Sequence, residues 1–488
     1  MPTIKTILYF CSFISMPFKS FITICTILVC LGACRKDQNI LKGAGTLGFS
    51  ADTVYFDTVF TRLPGSSYPR SINKRFMVRN PYKESVNVNV QLLGGVNSPY
   101  RINVDGKSGA TNTLEILPKD SAWVFVEATL EPNNLTQPAI VRDRIEFETN
   151  GNRQYVELAA YGWDAYYFRD TVLDNSTTNW TLTDKPYVIV NTCFVDVGKS
   201  LLIGPGVHVY SSTNSFLVDS NNKKFGYHAL NILGTLKVNG TLANPVIFEG
   251  DRLDNNYANT PGQWQGIGFY KTSLDNVLTH CIIKNAAYGV RVDSLSNNAN
   301  PKLLIQNSII KNMSGVGIWG RTGDITAINT VVSNCGIFNF YAQYGGRYNF
   351  NFCSMNNVTS GGRDPHFYIS NQERNDDKVV IRTYPIGYTF VNCIFYGPNE
   401  SEMGFDLSAP ATPNIIQKCL IKSKNPFGVD NIFPTVNYSK IFVDAPGNNL
   451  KLIAASLPIN AGLAATGVNA DLEEKSRDAN PDIGAYEF

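Results

Sequence analysis

Six stretches of this chain repeat one short pattern: a turn residue, a small residue, an apolar and often β-branched pair, then polar residues. They are His280-Cys281-Ile282-Ile283-Lys284-Asn285, Asn307-Ser308-Ile309-Ile310-Lys311-Asn312, Asn329-Thr330-Val331-Val332-Ser333-Asn334, Phe352-Cys353-Ser354-Met355-Asn356-Asn357, Asn392-Cys393-Ile394-Phe395-Tyr396-Gly397 and Lys418-Cys419-Leu420-Ile421-Lys422-Ser423. Their offsets are 27, 22, 23, 40 and 26 residues. Such a period is the mark of a solenoid, in which each coil buries its apolar side only by stacking on its neighbours. Stacked coils pair parallel strands about 4.8 Å apart, so equivalent residues line up in columns along the axis. The offset of 40 predicts that one coil carries an insertion, over about 360–388. Leu201-Leu202-Ile203-Gly204-Pro205-Gly206, Leu233-Gly234-Thr235-Leu236-Lys237-Val238 and Gln263-Trp264-Gln265-Gly266-Ile267 read as earlier, less regular coils.

Upstream the periodicity changes. Between residues 46 and 165 short runs alternate with period two, as in Val86-Asn87-Val88-Asn89-Val90 and Trp123-Val124-Phe125-Val126. Turn clusters such as Asn80-Pro81, Gly94-Gly95, Asp105-Gly106 and Asn150-Gly151 separate them. That spacing predicts an immunoglobulin-like β-sandwich, acting as a spacer. With 17% charged residues, 39 Gly and 24 Pro, the composition fits an all-β protein and not a disordered one. A net charge of +2 argues against a nucleic-acid partner. Four histidines and no CxxC spacing imply no metal site, and nothing in the sequence implies a cofactor.

Residues 1–33 carry no acidic side chain and read as an export signal; Met16 is a candidate true start, since Lys19 and the apolar run Phe21–Leu31 suffice. That run is too short to span a bilayer as a helix. Leu31-Gly32-Ala33-Cys34 resembles a bacterial lipobox, which implies acylation of Cys34 and anchorage in the outer membrane by lipid alone; in the tether over 34–45, Arg35-Lys36-Asp37-Gln38 resembles the charged segment that sends some Bacteroidetes lipoproteins to the cell surface.

The C-terminal Asn480-Pro481-Asp482-Ile483-Gly484-Ala485-Tyr486-Glu487-Phe488 resembles the closing motif of the right-handed β-helix repeat lipoproteins of Bacteroidetes, and Ser456-Leu457-Pro458-Ile459-Asn460-Ala461-Gly462 resembles the approach to it. The resemblance covers about residues 170–488 and implies a right-handed parallel β-helix of roughly ten coils. It implies fold and setting, since most members of that family carry no assigned activity. The expected fold class is therefore all-β, a sandwich followed by a β-helix.

Six cysteines lie outside the export signal and lipobox, and Cys281, Cys353, Cys393 and Cys419 share a coil position with Ser308 and Thr330. A column that accepts Cys, Ser and Thr asks for a small buried side chain. Parallel Cβ vectors suit free thiols better than disulfides. The repeated Asn residues at coil corners are expected to serve the turns, since Asn tolerates left-handed backbone and stacked amides can bond along the axis.

Extending the alignment sets Gly289-Val290-Arg291-Val292 beside Gly317-Ile318-Trp319-Gly320 and Asn339-Phe340-Tyr341-Ala342. Alternation then turns Arg291, Trp319 and Tyr341 outward in one column, and further extrapolation adds Asp364 and Asp406. Aromatic surfaces beside charged groups suit sugar rings, which offer apolar CH patches and rim hydroxyls. This column is the candidate ligand site, with a polysaccharide or another extended ligand as the expected partner. No catalytic residue is assigned. A lyase or hydrolase using His366, Arg363, Asp376 or Asp377 is the first alternative, although adjacent carboxylates on a strand face opposite ways. The second is an adhesin or a subunit of an envelope protein complex.

Overall fold

The structure, a computed structural model, describes residues 39–63, 73–211, 229–254, 257–359, 365–408, 414–464 and 467–488, with backbone alone at 217–218 and 224–225. The expected export signal, Cys34, Arg363 and Asp364 lie outside the described residues. The chain divides into two compact units. No helix among the described residues is long and apolar enough to cross a membrane.

The first unit is a β-sandwich. Gly48–Phe49, Asn73–Arg79, Ser121–Ala128, Tyr100–Val104 and Lys107–Ser108 form one antiparallel sheet. Thr53–Phe60, Asn152–Trp163, Ala139–Thr149, Val86–Leu92 and Thr111–Ile116 form the other. Burial follows the sequence alternation. Along Ser121–Ala128 every second residue is buried, so Val124 and Val126 face the core while Trp123 and Phe125 stay exposed.

The second unit is a parallel β-helix, wound right-handed as parallel crossovers are. It begins earlier than the repeat suggests: Tyr166–Leu173 already pairs in parallel with Tyr187–Val195. Each later coil supplies three strand segments. The first face stacks Leu230–Ile232, Ile267–Phe269, Tyr288–Asp293, the opening halves of Val316–Ile328 and Phe338–Asn351, then Phe367–Ser370 and Met403–Asp406. The second face includes Asn276–Thr279, Leu303–Gln306, the closing halves of those two long strands, and Ile386–Val391. The third stacks Cys281–Lys284, Ile309–Lys311, Val331–Ser333, Ser354–Asn356, Ile394–Tyr396 and Leu420–Ile421.

Inside, side chains stack in continuous columns. Ile267, Val290, Ile318, Phe340, Phe367 and Met403 are register partners in succession, and all are buried. Each contributes about 1.5–3 kcal/mol of burial, which is what commits the register. The six cysteines are buried and unpaired. Cys281 Sγ lies 3.5 Å from Ser308 Oγ, and burial pushes the Cys193, Cys281 and Cys335 thiols up to about 12, so they stay protonated.

One corner explains the repeated turn residue. His280, Asn307, Asn329, Phe352, Asn392 and Lys418 all hold left-handed backbone, with φ between 44° and 54°. Asn occupies it most often because its short polar side chain lowers a cost of about 1–2 kcal/mol. The amides also bond along the axis: Asn329 Nδ2 donates to Asn307 Oδ1 at 2.9 Å, and Asn307 Nδ2 lies 3.2 Å from His280 Nε2.

His280 heads this ladder, and its burial lowers the imidazole pKa, with Glu474 opposing. The native state therefore binds fewer protons than the unfolded one just below pH of about 6.5. Stability present above that value falls as pH drops through the depressed one. Urea unfolding at successive pH values should show this decline. His280→Asn, which suits the corner and extends the ladder, should flatten part of it. The remainder belongs to groups such as His208, which burial also lowers. An unchanged slope in His280→Asn would refute the assignment.

Two expectations need correction. The insertion is smaller than 360–388, because Phe367–Ser370 is itself a coil strand; the extra piece is the antiparallel hairpin Gln372–Arg374 with Val380–Thr383. The coils also do not continue to residue 488. After the bridges Gln417 to Val429 and Leu420 to Ile432, the chain folds back as a strap over the outer side of the third face. Ile441, Phe442, Leu450, Leu472, Ile483 and Ala485 cluster there with Val331, Ile394, Tyr396 and Leu420. The closing motif is part of that strap. Gly484 N donates to Asn392 O at 2.8 Å and Ala485 N to Ser354 Oγ at 2.9 Å. Gly484 has φ +109°, and a Cβ there would lie 2.7 Å from both Ile394 Cδ1 and Ser354 Oγ, so only glycine fits. An apolar outer side on Val331, Ile394 and Leu420 needs such a cover, which the coil pattern alone does not reveal.

Candidate functional site

The outward side of the first face carries two columns, separated by the two-residue repeat of a strand. Register places Gly268, Arg291, Trp319, Tyr341, Tyr368 and Gly404 in the first. The second runs Asp293, Arg321 and Gln343, and further along pairs Ser370 with Asp406.

Arg291, Trp319 and Tyr341 thus occupy one position of three successive coils, and all are half-buried. The two remaining extrapolated residues do not continue that column. The position after Tyr341 belongs to Tyr368, not Asp364, because ten residues separate Asn356 from Phe367 where four separate Ser333 from Phe338. Asp406 lies two residues beyond Gly404, in the second column.

The rings form a row. Tyr288 and Trp319 have centroids 5.2 Å apart, Trp319 and Tyr341 6.4 Å with planes 13° apart, and Tyr341 and Tyr368 6.0 Å. Phe338 packs against Tyr341 at 4.9 Å and Tyr368 at 5.9 Å, backing the row. Polar groups fix its orientation. Arg291 donates to both carboxylate oxygens of Asp293, at 3.0 and 2.8 Å, and lies 5.2 Å over the Trp319 ring. Trp319 Nε1 donates to Gln343 Oε1 at 3.2 Å.

The Tyr341 phenol is pushed up to about 12, chiefly by burial and then by Tyr344, Tyr368 and Asp406, so it is a protonated donor at neutral pH. Asp406 accepts from Arg374 NH2 at 2.8 Å and from Ser370 Oγ at 3.3 Å, which ties the hairpin to the edge of the row.

The arrangement offers apolar ring surface with hydrogen-bonding groups at its rim, repeated once per coil. Among the described residues it does not bring an acid and a base together. Asp293 and Asp406 are each engaged by a guanidinium. Asp376 and Asp377 lie exposed on the hairpin. His366 is buried, with Nδ1 2.8 Å from Glu402 Oε2, so its ring is shut away from any chain lying on the face.

Sequence reasoning missed Tyr288, Phe338, Tyr368 and Arg321. A signal for Tyr368 was present: Phe367-Tyr368-Ile369 repeats the apolar–aromatic–apolar pattern of Phe340-Tyr341-Ala342.

No protein-family model matches the chain, and no curated protein matches it. Among solved structures it is similar to the catalytic unit of a GH87 α-1,3-glucanase from Streptomyces thermodiastaticus, at 10% identity over 74% of this chain and 77% of that one, with a TM-score of 0.27. A family 123 glycoside hydrolase from Clostridium perfringens shares 11% identity over 26% of this chain and 31% of its own, with a TM-score of 0.18. The ASH/PapD-like domain of human CEP192 shares 8% identity over 25% of this chain and 88% of its own, with a TM-score of 0.17.

Proposed function

We propose that this chain is an outer-membrane lipoprotein, anchored through lipid on Cys34, whose β-helix binds a polysaccharide lengthwise without cleaving it. The observation that carries the reading is the half-exposed aromatic row Tyr288, Trp319, Tyr341 and Tyr368, one ring per coil along the first face. Coils repeat about every 4.8 Å, close to the advance of one residue in an extended sugar chain. Saccharide CH faces would lie on the rings, and hydroxyls would meet the Tyr341 phenol, Gln343 and the Arg291–Asp293 pair.

Retention of the detergent-solubilised full chain on a panel of bead-linked polysaccharides tests the binding. Retention of a defined glycan supports it, and failure on every polymer refutes it. Shortening of a retained polymer over time would replace binding by a lyase or hydrolase. For the anchor, Cys34→Ala should lose incorporation of labelled palmitate entirely and move from the detergent to the aqueous phase on Triton X-114 partitioning. Continued labelling would place the lipid elsewhere. Two acyl chains are expected, since one holds a protein only marginally and reversibly.

A further inference from the structure

The second outward column holds a cation that the fold leaves unpaired. Among the described residues two arginines stand on the first face and a third, Arg374, reaches it from the hairpin; Arg291 is neutralised by Asp293 and Arg374 by Asp406. Arg321 is different. It stands opposite Asp293 in register, but that carboxylate turns both oxygens to Arg291 and forms no ion pair with Arg321 among the described residues. Its side chain has no ion pair and no hydrogen-bond acceptor among the described residues. Nε is buried without a partner, and the guanidinium lies 5.9 Å from the Tyr344 ring. Two residues before it on the same strand is Trp319, whose side chain shares its side of the sheet.

We infer that Arg321 receives an anionic group of the bound polymer, so that the ligand is an acidic polysaccharide bearing carboxylates or sulfate esters. This rests on the glycan-binding reading and specifies its substrate class. A guanidinium is a planar fork of donors that matches a carboxylate or sulfate through two parallel hydrogen bonds. Half-buried beside the Tyr344 ring, it is less screened than an exposed arginine would be. A neutral sugar supplies hydroxyls but no charge, and leaves the cation uncompensated.

Matched polymers test this: alginate against carboxyl-reduced alginate, and dextran sulfate against dextran, each linked to beads and offered to the detergent-solubilised full chain. At least one acidic polymer should be retained about ten-fold more tightly than its neutral counterpart, the size of one charge-assisted contact. Which pair shows the difference identifies the anion. Arg321→Gln should bring the two members of that pair to similar retention while still holding the neutral one. Arg321→Lys, which keeps the charge but loses the fork, should fall between. Equal retention of acidic and neutral polymers, or a preference that survives Arg321→Gln, overturns the inference and leaves glycan binding standing. Failure to retain any polymer overturns both.

Discussion

Replacing Trp319 and Tyr341 together by alanine is expected to abolish retention of whichever polysaccharide binds the intact chain. The two rings are register partners at the centre of the row, with Tyr288 on one side and Tyr368 on the other. Each removes about 1–2 kcal/mol of apolar contact, so the pair should weaken binding by roughly 30-fold or more. Each single variant should lose less. The two effects will not simply add, because the rings touch the same stretch of ligand and each other. Trp319→Ala also frees the Gln343 amide, but Arg291 stays held by Asp293, so the polar rim is largely kept. The control is Trp123→Ala, which removes an exposed tryptophan from the sandwich and should leave retention as it was. Full retention in the Trp319/Tyr341 variant would remove the row from any role in binding.

The parts of this molecule legible in the sequence are those that repeat. Cys281, Ser308 and Thr330 share a position because a solenoid makes equivalent residues neighbours, and the outward column of Arg291, Trp319 and Tyr341 follows from the same alignment. Legibility ended where a coil changed length. Counting on from Tyr341 reached Asp364, but ten residues separate Asn356 from Phe367 against four between Ser333 and Phe338, which brings Tyr368 into the column instead. Asp406 failed for a related reason: a two-residue error in a strand keeps a side chain on the same face but moves it to the next column. Arg321 was invisible for another reason. Its significance lies in the acceptors it lacks, and Asp293 stands near enough in pattern to pass for a partner until Arg291 is seen to occupy it. The strap was unreadable as a strap, since Ile441, Leu450 and Ile483 look like any core residues until the outer side of the third face is known to be apolar.

The strap also contains the residue whose loss should cost most stability. Arg477 and Glu487 form an ion pair at 3.0 Å with side chains 2% and 7% exposed. Arg477 also donates to Gly484 O at 2.9 Å and Asn329 Oδ1 at 3.1 Å, and its guanidinium lies 3.8 Å over the Phe352 ring. One side chain thus joins the closing motif to two left-handed corners of the coils. Arg477→Ala leaves Glu487 buried without its cation and the Gly484 carbonyl without a donor, at an expected cost of about 3–5 kcal/mol. Burial raises the Glu487 pKa, and the Asp482 N–H it accepts from and the Arg477 cation both work against that shift. Glu487→Gln should cost less, because its amide oxygen still accepts from Arg477, whose cation Asp471 and Asp482 also favour. Urea unfolding gives the size of the loss, and limited proteolysis gives its place, with cleavage starting in the strap if the strap opens first. The Arg477→Met/Glu487→Leu pair should recover part of the loss, since neither variant side chain leaves a charge unpaired. The strap covers the third face and the aromatic row lies on the first, so Arg477→Ala should still retain polysaccharide below its melting temperature. Loss of retention there, with the coils still folded, would mean that the corners Arg477 holds at Asn329 and Phe352 also set the spacing of the rings.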